Sequence, residues 1–348
     1  MRLPVVDHAI PTLTTVGGLT RRRFGLAAGA VTLAGLLNAC GGDDPSPAAA
    51  SDEPTGPWTW TDDRDQVIEL EGMPERLVVS QWLLPAFWAL GIKPVGVLTF
   101  MPWDDIEGYA EAGIAEADVT VLSTTYGEVD LEAMVGLKPD LVVLDSYADS
   151  ETLWGFTDLA TQKKAARIAP LVAVSAETDL IEGIDARHEL AAALGADVDA
   201  TTVAEARADF EAASAEIEKV LTAQAGLSVA FVGPYEDGLW VAPAKDYADL
   251  TYLEGLGLEV WEPVKVPDGD TLSWENATGV DADLLILDDR DDVAQASKAN
   301  PVFAELPAVE ARQVAAAWRF ALPYEYGAYA RSFRALTPAL QSASILSA

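Results

Sequence analysis

From Trp58 onward, short β-branched apolar runs alternate with stretches whose apolar residues recur at helical spacing, the pattern of an α/β fold. Strands are expected at Gln66 to Leu70, Leu77 to Ser80, Val95 to Leu98, Leu141 to Leu144 and Leu171 to Val174. Helices are expected between them, around Leu83 to Leu90, Leu131 to Leu137 and Glu151 to Ala166. The run Leu141-Val142-Val143-Leu144 is apolar on both faces, as a buried parallel strand requires. Leu180 to Thr222 carries no strand pattern but two helical periods, Ile181-Ile184-His188-Ala191-Leu194 and Val203-Ala206-Phe210-Ala213-Ile217-Val220, with Gly195 between them. Beyond Gly226 the alternation resumes, with strands at Ser228 to Val232, Gly238 to Val241 and Leu284 to Leu287 and helices near Leu250 to Gly255 and after Pro323. The fold class this predicts is α/β, with two lobes of mainly parallel sheet bridged by a long helix. A single α/β domain with a helical insertion is the competing arrangement. The boundaries are a first lobe over 58–178, a bridging helical region over 179–225 and a second lobe over 226–348. A helix bends less readily than a hinge of two or three strands, so a modest closure motion is expected.

The segment before Trp58 has a different character. Thr20-Arg21-Arg22-Arg23-Phe24-Gly25-Leu26 precedes an uncharged apolar run to Ala39, too short to span ~30 Å of hydrocarbon comfortably and suited to the core of a signal peptide. A short membrane anchor is the alternative. Arg21 and Arg22 with Phe24 resemble the twin-arginine export signal, a receptor-read address for proteins exported folded. Leu37-Asn38-Ala39-Cys40 resembles a bacterial lipobox, in which Cys40 becomes the first mature residue and carries two acyl chains, enough for stable membrane attachment. The other reading makes Cys40 a small residue near an ordinary cleavage site. Residues 1–39 are thus assigned to the signal peptide and 40–57, rich in Pro, Ala, Ser and Asp, to a flexible linker.

Charge removes whole classes of function. Lys plus Arg number 22 against 56 Asp plus Glu, a formal net charge of −34, and a phosphate backbone would be repelled. No nucleic acid partner is expected. Cleavage after residue 39 removes four Arg and one Asp and leaves the chain still more acidic, a composition that suits a solvated surface. One Cys and two His cannot build a thiol or imidazole metal cluster, and a lone Cys forms no intramolecular disulfide. His188, the one His of the mature chain, falls in a helical pattern and reads as a satisfied helix residue.

Several ordered segments carry a family resemblance. Glu75-Arg76-Leu77-Val78-Val79-Ser80 with Leu90-Gly91-Ile92-Lys93-Pro94-Val95-Gly96-Val97, then Gly127-Glu128-Val129-Asp130-Leu131-Glu132 running into Leu137-Lys138-Pro139-Asp140-Leu141-Val142-Val143, resemble the helical-backbone substrate-binding proteins of ABC importers. Ile168-Ala169-Pro170-Leu171-Val172, Leu272-Ser273-Trp274-Glu275 and Asp281-Ala282-Asp283-Leu284-Leu285-Ile286 continue the series, which covers about residues 58–346. Those proteins serve iron–siderophore, haem and cobalamin uptake. The resemblance implies a monomeric, lipid-anchored, extracytoplasmic receptor that captures a ferric siderophore and hands it to ABC permease subunits. It implies no catalysis and no cofactor, the ferric chelate being cargo.

The resemblance also implies a site. Each lobe of such proteins presents a surface Glu to an Arg pocket on one permease subunit, and the matching positions are Glu132 and Glu275. A carboxylate near a helix N-terminus is equally explained by the helix dipole. The ligand is expected between the lobes at the carboxyl ends of the strands. Candidates on the first lobe are Trp82, Phe100, Trp103, Tyr126 and Tyr147; on the second, Trp240, Tyr247, Arg290, Arg319, Phe320 and Tyr324. Aromatic walls suit a chelate's organic skeleton, and a cleft Arg suits its charged oxygens. For each aromatic, core packing competes, and Arg290 stands among Asp residues able to pair with it. Hydroxamate-binding relatives place an Arg in the loop where this chain has Tyr126. Haem and cobalamin are the other ligands of the class, whereas the multi-His site of the zinc- and manganese-binding relatives has no counterpart. An exported hydrolase is a third reading, but Gly-x-Ser-x-Gly is absent and no motif links His188 to a serine. A structural or adhesive lipoprotein would carry repeats or long biased stretches, and only the linker after Cys40 is biased.

Overall fold

Two apolar runs, β3 (Leu77–Ser80) and β6 (Leu141–Ser146), pair in parallel at the middle of a five-stranded sheet. The protein is described by a computed structural model covering residues 56–348 apart from 104, 105, 107, 149, 264–270, 289–299, 320, 321, 347 and 348. The export signal with Arg21 and Arg22, the acylation candidate Cys40, most of the linker, Arg290 and Phe320 lie outside the described residues.

A hairpin of β1 (Trp58–Thr61) and β2 (Val67–Leu70) opens the fold. Asp62, 2% exposed, accepts hydrogen bonds from the backbone N–H groups of Arg64, Gln66 and Ala173, fixing the turn and tying it to the first sheet. That sheet runs β5 (Thr120–Ser123), β4 (Gly96–Leu98), β3, β6, β7 (Leu171–Ser175), all parallel. Because alternate residues face opposite ways, Val79, Val97, Val143 and Val172 build one core against α1 (Leu83–Ala89). Val78, Leu98, Val142 and Leu144 build the other, against Met134 of α2 (Leu131–Leu137) and Ala165 of α3 (Leu159–Ala165).

The second sheet runs β11 (Thr271–Ser273), β9 (Gly238–Val241), β8 (Ser228–Pro234), β12 (Leu284–Asp288), β13 (Val314–Trp318), with β10 (Glu259–Val260) along the start of β8. The β8–β12, β12–β13 and β8–β10 pairs are parallel; the pairs made by β9 are antiparallel. Its two faces are covered by α6 (Ala248–Gly255) and α10 (Tyr326–Ser342) on one side and by α7 (Trp274–Ala277), α8 (Pro301–Ala304) and α9 (Pro307–Glu310) on the other.

Two helices lie between the sheets along the chain. In α4 (Leu180–Ala193), about 21 Å long at 1.5 Å per residue, Leu180 and Ile184 enter the second sheet's core while Leu190 enters the first's. The long α5 (Thr201–Ala223) packs with Phe210, Ala213 and Ile217 in the second core and lies along α10, where Arg334 donates to both carboxylate oxygens of Asp209 at 2.7 and 2.6 Å. The bridging contacts are therefore concentrated in α4.

One sequence expectation is corrected. The helix anticipated from Glu151 is confined to Leu159–Ala165, because Asp158 caps it at the Thr161 N–H (2.8 Å) and Gly155 upstream takes a left-handed φ of +92°. Strands β1, β5, β10, β11 and β13 have no counterpart among the expected strands. Among the described residues no helix is long and apolar enough to cross a membrane.

Candidate functional site

Strand order reverses between β3 and β6: from β3 the chain proceeds to β4 and β5 on one side, from β6 to β7 on the other. Loops leaving the carboxyl ends of such neighbours diverge and open a crevice. Ser80 ends β3, and its hydroxyl donates to Oδ2 of Asp145 near the end of β6. Arg187 of α4 donates from Nη2 to Asp145 Oδ1 and to the Ser175 carbonyl, both at 3.2 Å, and from Nη1 to the Gly183 carbonyl at 3.0 Å. Asp145 and Arg187 are each 2% exposed. Burial pushes the Asp145 carboxyl up, and the Arg187 charge and the Ser80 hydroxyl oppose that shift in part.

A first group of aromatic rings is joined to β6 through Trp154, whose backbone N–H donates to the Asp145 carbonyl at 2.9 Å. Trp82, at the N-cap of α1, and Phe100, after β4, lie 6.0 Å apart; Trp154 meets Trp82 edge-on at 4.8 Å, Phe100 at 6.0 Å and Tyr126 at 5.7 Å. Three of the expected ligand residues thus share one cluster, centred on Trp154, which falls inside the helix expected from Glu151 and is not among the expected ligand residues. Burial raises the pKa of the Tyr126 hydroxyl, against a hydrogen bond from the Gly155 backbone. Trp103 stands elsewhere: it packs on Tyr109 at 4.6 Å with the opposite core and lines a separate cavity of about 320 Å³ beside β5, with Glu116, Glu128 and Asp130. Tyr147, just past β6, is 38% exposed, and its hydroxyl is pushed up by desolvation first and then by Asp145, Tyr126, Tyr324 and Glu177.

On the second lobe Trp240 stacks on Trp318 at 6.1 Å, and Tyr247 meets both, Trp240 at 6.0 Å and Trp318 at 5.2 Å. Trp318, at the end of β13, donates from Nε1 to the buried Asp249 at 2.8 Å, and burial lifts the Asp249 carboxyl to about 6. Arg319 follows Trp318, half-buried, and desolvation lowers its pKa. Tyr324 lies with its ring 4.1 Å from the Arg187 guanidinium, and burial raises its hydroxyl to about 12. His188 meets Tyr326 edge-on at 5.4 Å, and burial lowers its pKa. Asp145, Arg187 and Asp249 were missed because an acid or a base in an apolar stripe reads as an interruption. The available signal was Arg187 on the same α4 face as Ile184 and Leu190, a buried cation that must find a buried anion.

Glu132 and Glu275 are both exposed in the first turn of a helix, α2 and α7. The lobes repeat each other here: Glu132, Asp140 and Asp145 recur at one constant offset as Glu275, Asp283 and Asp288. The correspondence is physical. Asp140 accepts from the N–H groups of Glu75 and Arg76 at 3.0 and 2.9 Å, and Asp283 from the Ser228 N–H at 2.8 Å, each pinning the start of the neighbouring strand. The register of β7 on β6, Leu171 against Val142, is kept by β13 on β12, Val314 against Leu285.

Two lobes of largely parallel sheet, one helix serving both cores and aromatic groups at the strands' carboxyl ends define a bilobal small-molecule binding protein. The chain belongs to the periplasmic binding protein family, whose profile matches residues 102–317, and family membership implies an extracytoplasmic location. DesE, a ferric-siderophore receptor protein from Streptomyces coelicolor, is 28% identical with a TM-score of 0.74 over 84% of this chain and 100% of its own. In fold the chain is also similar to SirA from Staphylococcus aureus, solved with staphyloferrin B (18% identity, TM-score 0.57, 83% of this chain and 99% of that), and to FhuD from Vibrio cholerae, solved with Fe3+-Desferal (20%, 0.55, 77% and 98%). No curated protein sequence matches the chain.

Proposed function

We infer that the protein is the extracytoplasmic receptor of an ABC importer, capturing a ferric siderophore between its lobes and delivering it to a permease without chemistry of its own. The observation that carries this is the pair of aromatic groups, half-buried Trp82, Phe100 and Tyr126 backed by the buried Trp154 on one lobe and half-buried Trp240 and Tyr247 backed by the buried Trp318 on the other, within a chain like DesE along that protein's whole length. Broad π faces suit the organic skeleton of a chelate, and Arg319 and Arg290 are assigned to its anionic oxygens. Arg21 and Arg22 direct export and Cys40 carries the lipid anchor; Cys40→Ser should release the protein from the membrane fraction.

Glu132 and Glu275 are assigned to permease docking. Their equivalence in the two lobes supports this, since two like-placed carboxylates suit two-point registration on a partner of matching pseudo-symmetry.

The test is a titration of the mature protein with ferric hydroxamate, ferric catecholate, haem and cobalamin, following tryptophan fluorescence with absorbance correction. Saturable quenching by a ferric chelate is expected. Response only to haem or cobalamin would reassign the cargo within the class, and silence across all four from folded protein would overturn the reading.

A further inference from the structure

Tyr324 lies between β13 and α10 of the second lobe, yet its hydroxyl donates to the carbonyls of Ala176 and Thr178, at 3.0 and 3.4 Å, in the connector from β7 to α4. Its ring lies against Arg187 at 4.1 Å, over the ion pair that binds α4 to the end of β6. The same ring covers Gly183 so closely that a Cβ there would stand 2.3 Å from Cδ1 and Cε1. Two residues on, Tyr326 donates to Asp185 at 3.3 Å and meets His188 edge-on. Tyr324, just before α10, and Tyr326, its first residue, therefore grip one stretch of α4, Gly183 to His188.

Gly183 stands inside a regular helix, where glycine is unfavourable relative to alanine, and shows no left-handed φ that would call for it. The absent side chain is what lets the Tyr324 ring reach the helix. Arg187 completes the seat, presenting a guanidinium face to the ring while Asp145 neutralises it. The Tyr324 hydroxyl shares its electrostatic surroundings with Tyr147 and Asp145 on the first lobe and with Asp249 on the second.

We propose that Gly183, Arg187 and Tyr324 form a clasp that holds the second lobe on the bridging helix and sets the spacing of the two aromatic walls before ligand arrives. Gly183 and Arg187 are positioning residues acting through Tyr324. In its effect on ligand the clasp rests on the receptor reading above; in its effect on the free protein it does not.

The test uses the mature protein, first without ligand. Gly183→Ala should evict the ring while favouring the helix, so amide hydrogen exchange should rise in 176–183 and 324–330 with the rest of the protein as protected as in wild type. Tyr324→Phe keeps the ring and loses only the bonds to Ala176 and Thr178, so it should give a smaller rise in the same segments. Ferric desferrioxamine and a ferric catecholate are then titrated. If the binding-ready arrangement falls to about a tenth of the population, apparent affinity falls about tenfold. Tyr324→Ala should cost at least as much, and the Gly183→Ala/Tyr324→Ala double variant no more than Tyr324→Ala alone. Unchanged exchange in Gly183→Ala would overturn the clasp. Raised exchange with wild-type affinity would overturn its positioning role. Failure of wild type to bind either chelate would count against the siderophore reading and leave the exchange result to decide the clasp.

Discussion

Arg187 stands at 2% exposure with partners of several kinds: a carboxylate, two carbonyls and a tyrosine ring. Removing one partner of such a pair leaves an uncompensated ion, so Arg187→Met should cost about 3–5 kcal/mol in urea unfolding, and Arg187→Met with Asp145→Leu should recover part of that loss. Asp249 is a different case. Its carboxyl is raised to about 6 by burial, against hydrogen bonds from Trp318 and from backbone, so the fold binds that proton more tightly than the unfolded chain does. The contribution is complete below the ordinary value of 3.8 and lost as pH rises through about 6. Asp249→Asn removes the ionisation, and relative to wild type it should gain about 2–3 kcal/mol between pH 4 and pH 8 by denaturant midpoints. A constant difference across that range would contradict the assignment.

At the scale of elements, Asp130 shows how a helix start places a surface residue. Its side chain accepts from the Ala133 N–H at 2.8 Å, which fixes the first turn of α2 and with it Glu132. Asp130→Ala should cost about 1 kcal/mol, read as a lowered unfolding midpoint with an unchanged denaturant slope. β3, β6, β12, α2 and α4 were legible because continuous apolar runs and helical spacing are strong local signals. β13, Val314-Ala315-Ala316-Ala317-Trp318, was not, because alanine has little strand preference and the segment becomes a strand only beside β12. β5 was missed for a similar reason: Thr120-Val121-Leu122-Ser123 is short and sits at a sheet edge, defined by its pairing with β4. In the site, single aromatics could be named from sequence but their grouping could not. Trp82, Phe100 and Tyr126 converge on Trp154 only because Gly155 turns the chain out of the helical path there, whereas Trp103 departs to the opposite core.

For the whole molecule, the repeat of Glu132–Asp140–Asp145 as Glu275–Asp283–Asp288 sets an exposed glutamate and a buried aspartate at matching places in each lobe. The glutamates lie at exposed helix starts, before the strands that carry the buried aspartates into the crevice. Glu132→Ala combined with Glu275→Ala should leave ligand affinity of the purified protein within about twofold of wild type, since such truncations remove no cleft contact, and abolish uptake in cells. Lost binding by the double variant would sink the docking assignment.

Sharing of α4 between two cores sets a rule for recombination. Leu180 and Ile184 belong to one lobe and Leu190 to the other, so no cut on either side of this helix releases an intact half. A lobe grafted from a relative to change its cargo would arrive facing a helix shaped for a different neighbour. Chimaeras of this receptor should therefore be built by exchanging loops at the carboxyl ends of the strands, with Gly183, Arg187 and both hydrophobic faces of α4 kept from a single parent.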